Sequence, residues 1–276
     1  MLRKLLIASV LLSTSTALAG RGASPKLIQS AIASGSADAI KAELERAETL
    51  PCAACVDLVM PLIDHQDPSV RQVAAWWLVR RSVRTSVQQQ MFARLADVDS
   101  IKARNAADVL GEMQRPESIA PLSAALNNNA LNAEARAHVA LALGTIGELS
   151  AQSALQGALT SSDPEVRAAS LQALRGLRHF TNAAVAVPLL ADSNEAVRIQ
   201  AIYTLGMLRS NAGTGGLTSL LQSDSSVSVR KKAAWALGEI GAAAQSAAPA
   251  LLQASQSDAS PLVRSLAAAA LNKLNR

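Results

Sequence analysis

One twelve-residue phrase returns seven times along this chain. It reads DPSVRQVAAWWL from residue 67, DSIKARNAADVL from 99, NAEARAHVALAL from 132, DPEVRAASLQAL from 163, NEAVRIQAIYTL from 194, SVSVRKKAAWAL from 226 and SPLVRSLAAAAL from 260. The starts lie 32, 33, 31, 31, 32 and 34 residues apart. A period of this length is the signature of helix pairs stacked into a solenoid, because one pair cannot bury its apolar face alone. Composition supplies the element type: the chain is 50% hydrophobic but only 2% aromatic. Alanine and leucine carry the apolar share, so the expectation is helix nearly throughout.

Each slot of the phrase has a mechanical reason. The first position is Asp67, Asp99, Asn132, Asp163, Asn194, Ser226 and Ser260, all side chains able to accept from free amides at a helix start, and Pro68 and Pro164 follow two of them at the first helical position. Seven positions on stand Ala74, Ala106, Val139, Ser170, Ala201, Ala233 and Ala267; eleven positions on stand Leu78, Leu110, Leu143, Leu174, Leu205, Leu237 and Leu271. At about 100° per residue, positions 3, 7, 11 and 14 share the core face, with position 10 at its margin. Glycine often follows the leucine, as in Gly111, Gly144, Gly206 and Gly238. A second apolar segment precedes the next cap, for example 118–127, 183–191 or 247–254, so each repeat is predicted to be helix, turn, helix.

The adjacent Trp76 and Trp77 fit this scheme. Trp77 takes marginal position 10, while Trp76 takes position 9, about 200° from the core centre, so one ring points in and the other out. Position 9 then reports the exposed surface: Trp76, Asp108, Leu141, Gln172, Tyr203, Trp235 and Ala269. Two of the three tryptophans and the single tyrosine occupy it.

The ends differ from the repeats. Arg3 and Lys4 precede an apolar run from Leu5 to Leu12, and Ala17-Leu18-Ala19 precedes Gly20 as a small-x-small cleavage pattern. Residues 1–19 read as an export signal, which places the mature chain in the periplasm or outside the cell. No later run approaches the length of a membrane span. Loss of Arg3 and Lys4 lowers the formal charge from +5 to +3, too mild to indicate nucleic acid. Residues 25–33 and 37–49, the second capped by Ser36, predict two helices within a 20–50 cap over the first repeat. Residues 51–276 form the repeat domain.

The run VRKKAAWALGEIG, residues 229–241, resembles the HEAT-repeat family, and in particular its bacterial phycobilisome-lyase-like class. The resemblance covers roughly residues 52–276. It implies an all-α fold, a right-handed α/α superhelix of about seven helix pairs, whose second helices line the concave side. It also implies that Arg71, Arg136, Arg167, Arg198, Arg230 and Arg264 pair with the neighbouring repeat in a ladder, interrupted at Ala103. On this reading the groove residues are Trp76, Arg104, Asp108, Gln172, Tyr203, Lys231 and Trp235. Aromatic groups in such a surface are frequent binding hot spots; the alternative is that they cover gaps between adjacent helices. The expected occupant is a protein or peptide partner with an acidic patch, given Arg104, Lys231 and Lys232 near the groove.

Family members include scaffolds, lyases and a hydroxylase, so chemistry needs its own evidence. Cys52 and Cys55 admit a local disulfide or paired thiols, a redox site, or half of a metal site. Val56 follows Cys55 where covalent haem attachment needs histidine. The HEAT hydroxylases use His-Glu dyads, whereas His65, His138 and His179 are followed by Gln66, Val139 and Phe180. There is no GxSxG motif, and Gly213-Thr214-Gly215-Gly216 lacks the following Lys-Ser/Thr pair and reads as a turn. The expectation is therefore a non-catalytic scaffold with no cofactor, metal or small-molecule substrate; the competing class is a lyase or oxidoreductase using Cys52 and Cys55.

Overall fold

The computed structural model describes residues 24–50, 52–80 and 82–274. The export signal expected at 1–19 lies outside them. The described residues are helical almost throughout and contain no strand. They divide into two compact units between Val87 and Gln88.

The first unit begins with α1 (Pro25–Ala33), a positive-φ turn at Gly35, and α2 (Ala37–Arg46), whose cap Ser36 accepts from the Ala39 amide. A broken helical segment follows: a 3-10 turn at Ala53–Cys55, the single turn α3 (Val56–Val59), and a second 3-10 turn at Met60–Asp64 that contains Pro61. The repeat's second helix, α4 (Pro68–Val79), starts at Asp67, whose carboxylate accepts from the Ser69 amide. Helix α2 packs on α4. Ile28, Ile40, Leu44, Val59, Ile63, Val70, Ala74, Trp77 and Leu78 form this core. Trp77 is fully buried, and Trp76 is half-buried.

Helix α5 (Arg84–Leu95) crosses from one unit to the other. In the second unit the helices are α6 (Ser100–Met113), α7 (Ile119–Leu126), α8 (Ala133–Ile146), α9 (Gln152–Gly157), α10 (Pro164–Gly176), α11 (Glu195–Met207), α12 (Thr214–Ser223), α13 (Val227–Ile240), α14 (Ala248–Ser257) and α15 (Pro261–Leu274). They form two layers. The second helices of successive repeats, α6, α8, α10, α11, α13 and α15, pack side by side, and the first helices α7, α12 and α14 pack against α8, α13 and α15 respectively. Caps behave as their chemistry dictates: Asp99, Asn132, Asn194 and Ser226 each accept from amides of the first turn. Asp163 makes no such bond, because its carboxylate takes the Arg136 guanidinium at 3.3 Å.

Small residues set the spacing within the second-helix layer. A Cβ on Gly144 would stand 2.6 Å from Ala173 Cα, and one on Gly238 would stand 3.0 Å from Ala270 Cα. Alanine at position 10 of one repeat thus packs into glycine at position 12 of the repeat before it. The core face at positions 7 and 11 is buried in every copy except at Leu271, which is half-buried. That leucine sits on α15, the last of the described helices. Lys102 also departs from the core pattern at position 3: it is exposed, its ammonium lies 3.4 Å from Asp97, and Ala103 is buried beside it.

Two expectations about first helices need correction. Residues 183–191 form two 3-10 turns, Ala183–Ala186 and Pro188–Ala191, rather than an α-helix. Pro188 lacks the amide that would bond across the break. The glycine cluster at 213–216 is also no simple turn. Gly213 closes a 3-10 turn, and Thr214 to Gly216 open α12, where a Cβ on Gly216 would meet Leu190 Cδ1 at 2.5 Å.

The arginine ladder is continuous from α10 onward. Arg167 grips Asp192, Arg198 grips Asp224 and Arg230 grips Asp258, each through Nε at 2.8 Å and through Nη2. Each aspartate also accepts the amide of the next cap, at Asn194, Ser226 and Ser260 respectively. Arg198, Arg230 and Arg264 in turn donate Nη1 to the main-chain carbonyls of those same aspartates. Each of these three loops is therefore held from both sides. At Ala103 no arginine occupies the slot, and neighbouring Arg104 goes instead to Glu134 at 2.6 Å.

Candidate binding groove

On the free face of the second-helix layer, α8, α10 and α11 border an open trough of about 530 Å³. Its apolar floor is Ala137, Leu141, Ala168 and Ala169; its polar lining is Glu134, His138, Glu165, Gln172, Asn194 and Gln200. The register explains the mixture. Positions 2, 5, 6 and 9 after each cap turn away from the first helices, so this face carries whatever side chains the core does not require.

The expected groove residues fall into three places. Trp76 belongs to the first unit, where the Arg80 guanidinium lies 4.4 Å above its ring centroid and donates to the Trp76 carbonyl at 3.2 Å. Arg104 and Asp108 sit on α6 facing α8: Arg104 pairs with Glu134, and Asp108 pairs with His138 Nδ1 at 2.7 Å. The Asp108 bond raises the His138 pKa against the opposing effect of burial. The positive charge expected of Arg104 is therefore neutralised locally. Gln172 is exposed in the trough, across from Gln200 on α11.

Tyr203, Lys231 and Trp235 share the α11–α13 side. The Tyr203 and Trp235 rings meet edge to face with centroids 5.4 Å apart, a favourable geometry for their quadrupoles. Trp235 also closes over α11: a Cβ on Gly206 would stand 2.8 Å from its Cζ3. Both rings are half-buried at the seam between α11 and α13.

Two further residues complete this cluster: Lys232, expected near the groove from its charge, and Arg175, which the sequence reading did not assign to it. Lys232 Nζ donates to the Tyr203 hydroxyl at 2.6 Å and lies 4.6 Å from the ring centroid. Arg175 stands in a slot that holds glycine in four other copies. Its guanidinium donates to the Leu171 and Gln200 carbonyls, to Thr204 Oγ1 and to Gln200 Oε1. The break in the glycine slot was the available signal.

Elsewhere, Cys52 and Cys55 are joined by a disulfide with Cα atoms 5.3 Å apart; Cys55 is buried and Cys52 half-buried. Among the described residues no group of three or more His, Cys, Asp or Glu side chains could hold a metal ion. Nor is any described helix long and apolar enough to cross a membrane.

With repeats, caps and ladder in place, the family assignment follows. The chain belongs to the HEAT-repeat family, whose model matches residues 88–175 and 183–272. It is a repeat solenoid, a fold typical of protein-binding scaffolds. The solved structure of YibA from Escherichia coli is similar over 91% of this chain and 92% of its own, at 17% identity and a TM-score of 0.57. The complex of CpcE and CpcF of phycocyanin lyase from Nostoc sp. PCC7120 aligns over 83% of this chain and 97% of its own, at 22% identity and a TM-score of 0.44. No curated protein matches the chain.

Proposed function

We propose that this protein is an exported, non-catalytic scaffold that binds a protein or peptide partner along the free face of its second helices. The carrying observation is the trough itself. It is open and lined by both apolar and hydrogen-bonding side chains, and its lining residue Gln200 shares α11 with the half-buried Tyr203 ring. Export rests on the basic start, short apolar run and Ala17-Leu18-Ala19 pattern of the first 19 residues. Gln172 and Gln200 offer both donors and acceptors to an extended main chain. Leu141 and the alanines offer apolar contact without crowding it.

The test is affinity capture from periplasmic or secreted extract with the mature chain beside a Trp76→Ala/Tyr203→Ala/Trp235→Ala variant of equal helicity by circular dichroism. A partner held by the first and lost by the second supports the reading. Equal retention by both overturns the groove assignment. The intact mass of the exported chain tests the leader: the expected amino-terminus is Gly20, and an unprocessed Met1 start refutes export by this signal.

A further inference from the structure

Along the second-helix layer of the second unit, most cations are matched by a carboxylate. The ladder arginines Arg167, Arg198 and Arg230 each hold an aspartate, Arg104 holds Glu134, Arg178 holds Glu148 and Lys273 holds Glu239. Among the described residues Arg175 and Lys232 pair with no carboxylate, although both are half-buried. Among the same residues Lys231 and Arg264 also lack a carboxylate partner, and Arg264 donates to main-chain carbonyls instead. Arg175 and Lys232 differ from them in meeting at one ring: the Arg175 guanidinium carbon lies 6.0 Å from the Tyr203 centroid and Lys232 Nζ lies 4.6 Å from it. Half-buried cations are ordinarily paired, because desolvation without a counter-charge is costly. Here neutral oxygens and an aromatic face serve in place of an anion.

Resting on the scaffold reading above, we infer that Arg175, Tyr203 and Lys232 form a carboxylate subsite of the groove, which receives an Asp or Glu side chain of the bound protein or peptide. Two observations carry this inference independently of each other. The first is the unmatched pair of cations around one tyrosine. The second is continuity with the trough: Gln200 lines it and also accepts from Arg175 through Oε1 at 2.6 Å. A carboxylate arriving along the trough meets the Lys232 ammonium and the Tyr203 hydroxyl together, with Trp235 packed edge to face beside them and Lys231 on the same helix.

Burial lowers the Arg175 pKa to about 10, in keeping with a cation that lacks a counter-charge. It remains protonated at neutral pH. Toward α8 no lysine or arginine lines the trough: Glu134 is paired with Arg104, and Glu165 on α10 adds a negative charge. An anionic side chain is therefore directed to the α11–α13 side and away from α8. This locates the acidic-partner preference at Arg175 and Lys232 rather than at Arg104.

The experiment uses the full chain and short fluorescein-labelled peptides that alternate Glu with Ala, Gln with Ala, or Lys with Ala, read by anisotropy at low ionic strength. The expected result is binding of the Glu peptide about tenfold tighter than the Gln peptide, with the Lys peptide weakest. Lys232→Gln and, separately, Arg175→Gln reduce that preference to about twofold or less, while Lys26→Gln, an equal charge loss on exposed α1, leaves it unchanged. If the Glu and Gln peptides bind alike, or if Lys26→Gln lowers the preference as much as Lys232→Gln, the subsite is overturned. Lys232→Gln guards against misfolding of the more buried Arg175 variant. A captured partner that the aromatic triple variant loses but Lys232→Gln retains at full affinity would sink this inference and leave the scaffold reading standing.

Discussion

Replacing Asp258 by alanine tests the ladder at one rung. In the native chain the Asp258 carboxylate accepts Arg230 Nε at 2.8 Å, Arg230 Nη2 at 3.1 Å and the Ser260 amide at 2.8 Å, with the two side chains only 8% and 14% exposed. A hydrogen bond to a charged group contributes about 1.5–3 kcal/mol, and breaking a buried pair by removing one partner costs about 3–5 kcal/mol. Arg230 keeps its bonds to the Asp224 and Ser225 carbonyls at 2.9 and 3.3 Å, and water reaches its exposed edge. The expected loss is therefore at the lower end, about 2–4 kcal/mol in urea denaturation.

The rung joins α13 to the loop before α15, so the loss should be local in a quasi-one-dimensional array. Hydrogen exchange should rise over 258–274 before it rises in α8 or α10. The Arg230 hydrogen bond holds the Asp258 pKa below the usual carboxylate value, so this contribution is present above the unfolded-state pKa near 3.9 and is lost as pH falls through the lower, folded pKa. Asp258→Ala should consequently lose less stability on acidification than the native chain does. A loss under about 1 kcal/mol, or a Asp258/Arg230 double-mutant cycle with coupling under about 0.5 kcal/mol, would refute the view that these pairs bind the repeats together.

Three further outcomes follow from the packing and from His138. Gly144→Ala drives a methyl into Ala173 backbone and should destabilise by about 1–3 kcal/mol, whereas Gly215→Ala, with nothing within 4 Å, should stabilise by about 0.5–1 kcal/mol; thermal melts of the two variants report both signs. Leu205→Ala should cost about 2–5 kcal/mol and Leu271→Ala distinctly less, because only the first is fully buried; equal shifts in urea midpoint would contradict the burial assignment. The Asp108 bond raises the His138 pKa, so its stabilisation is complete below the unfolded-state value near 6.5 and disappears as pH rises through the folded value. The native midpoint should therefore fall relative to that of His138→Gln between mildly acidic and mildly alkaline buffer, and parallel profiles would refute the pairing.

The sequence was most legible where one residue acts alone against the backbone. Caps, the buried leucines and the small residues at position 7 recur in phase, and each has a local reason, so the second helices could be placed closely. The first helices were harder to read because they are short and interrupted by Pro61 and Pro188, leaving too few turns for a clear period. Paired residues were legible only from one side. The arginine at position 4 announces a ladder, but its partner aspartate stands 25 to 28 residues later, two places before the next cap. The groove shows the same limit. Position 9 located Tyr203 and Trp235, while the grip of Arg175 and Lys232 around Tyr203 depends on how three helices meet, which no single period records.

The central claim is that the free face of the second helices is the working surface. A photo-crosslinking amino acid placed in turn at Gln172 and Lys231 on that face, and at Gln253 on the first-helix layer, tests it most directly in cells that make the protein. The account predicts a discrete adduct from Gln172 and Lys231, absent from Gln253 and suppressed by Lys232→Gln at Lys231. An adduct from Gln253 alone would place the partner on the opposite layer and contradict the account.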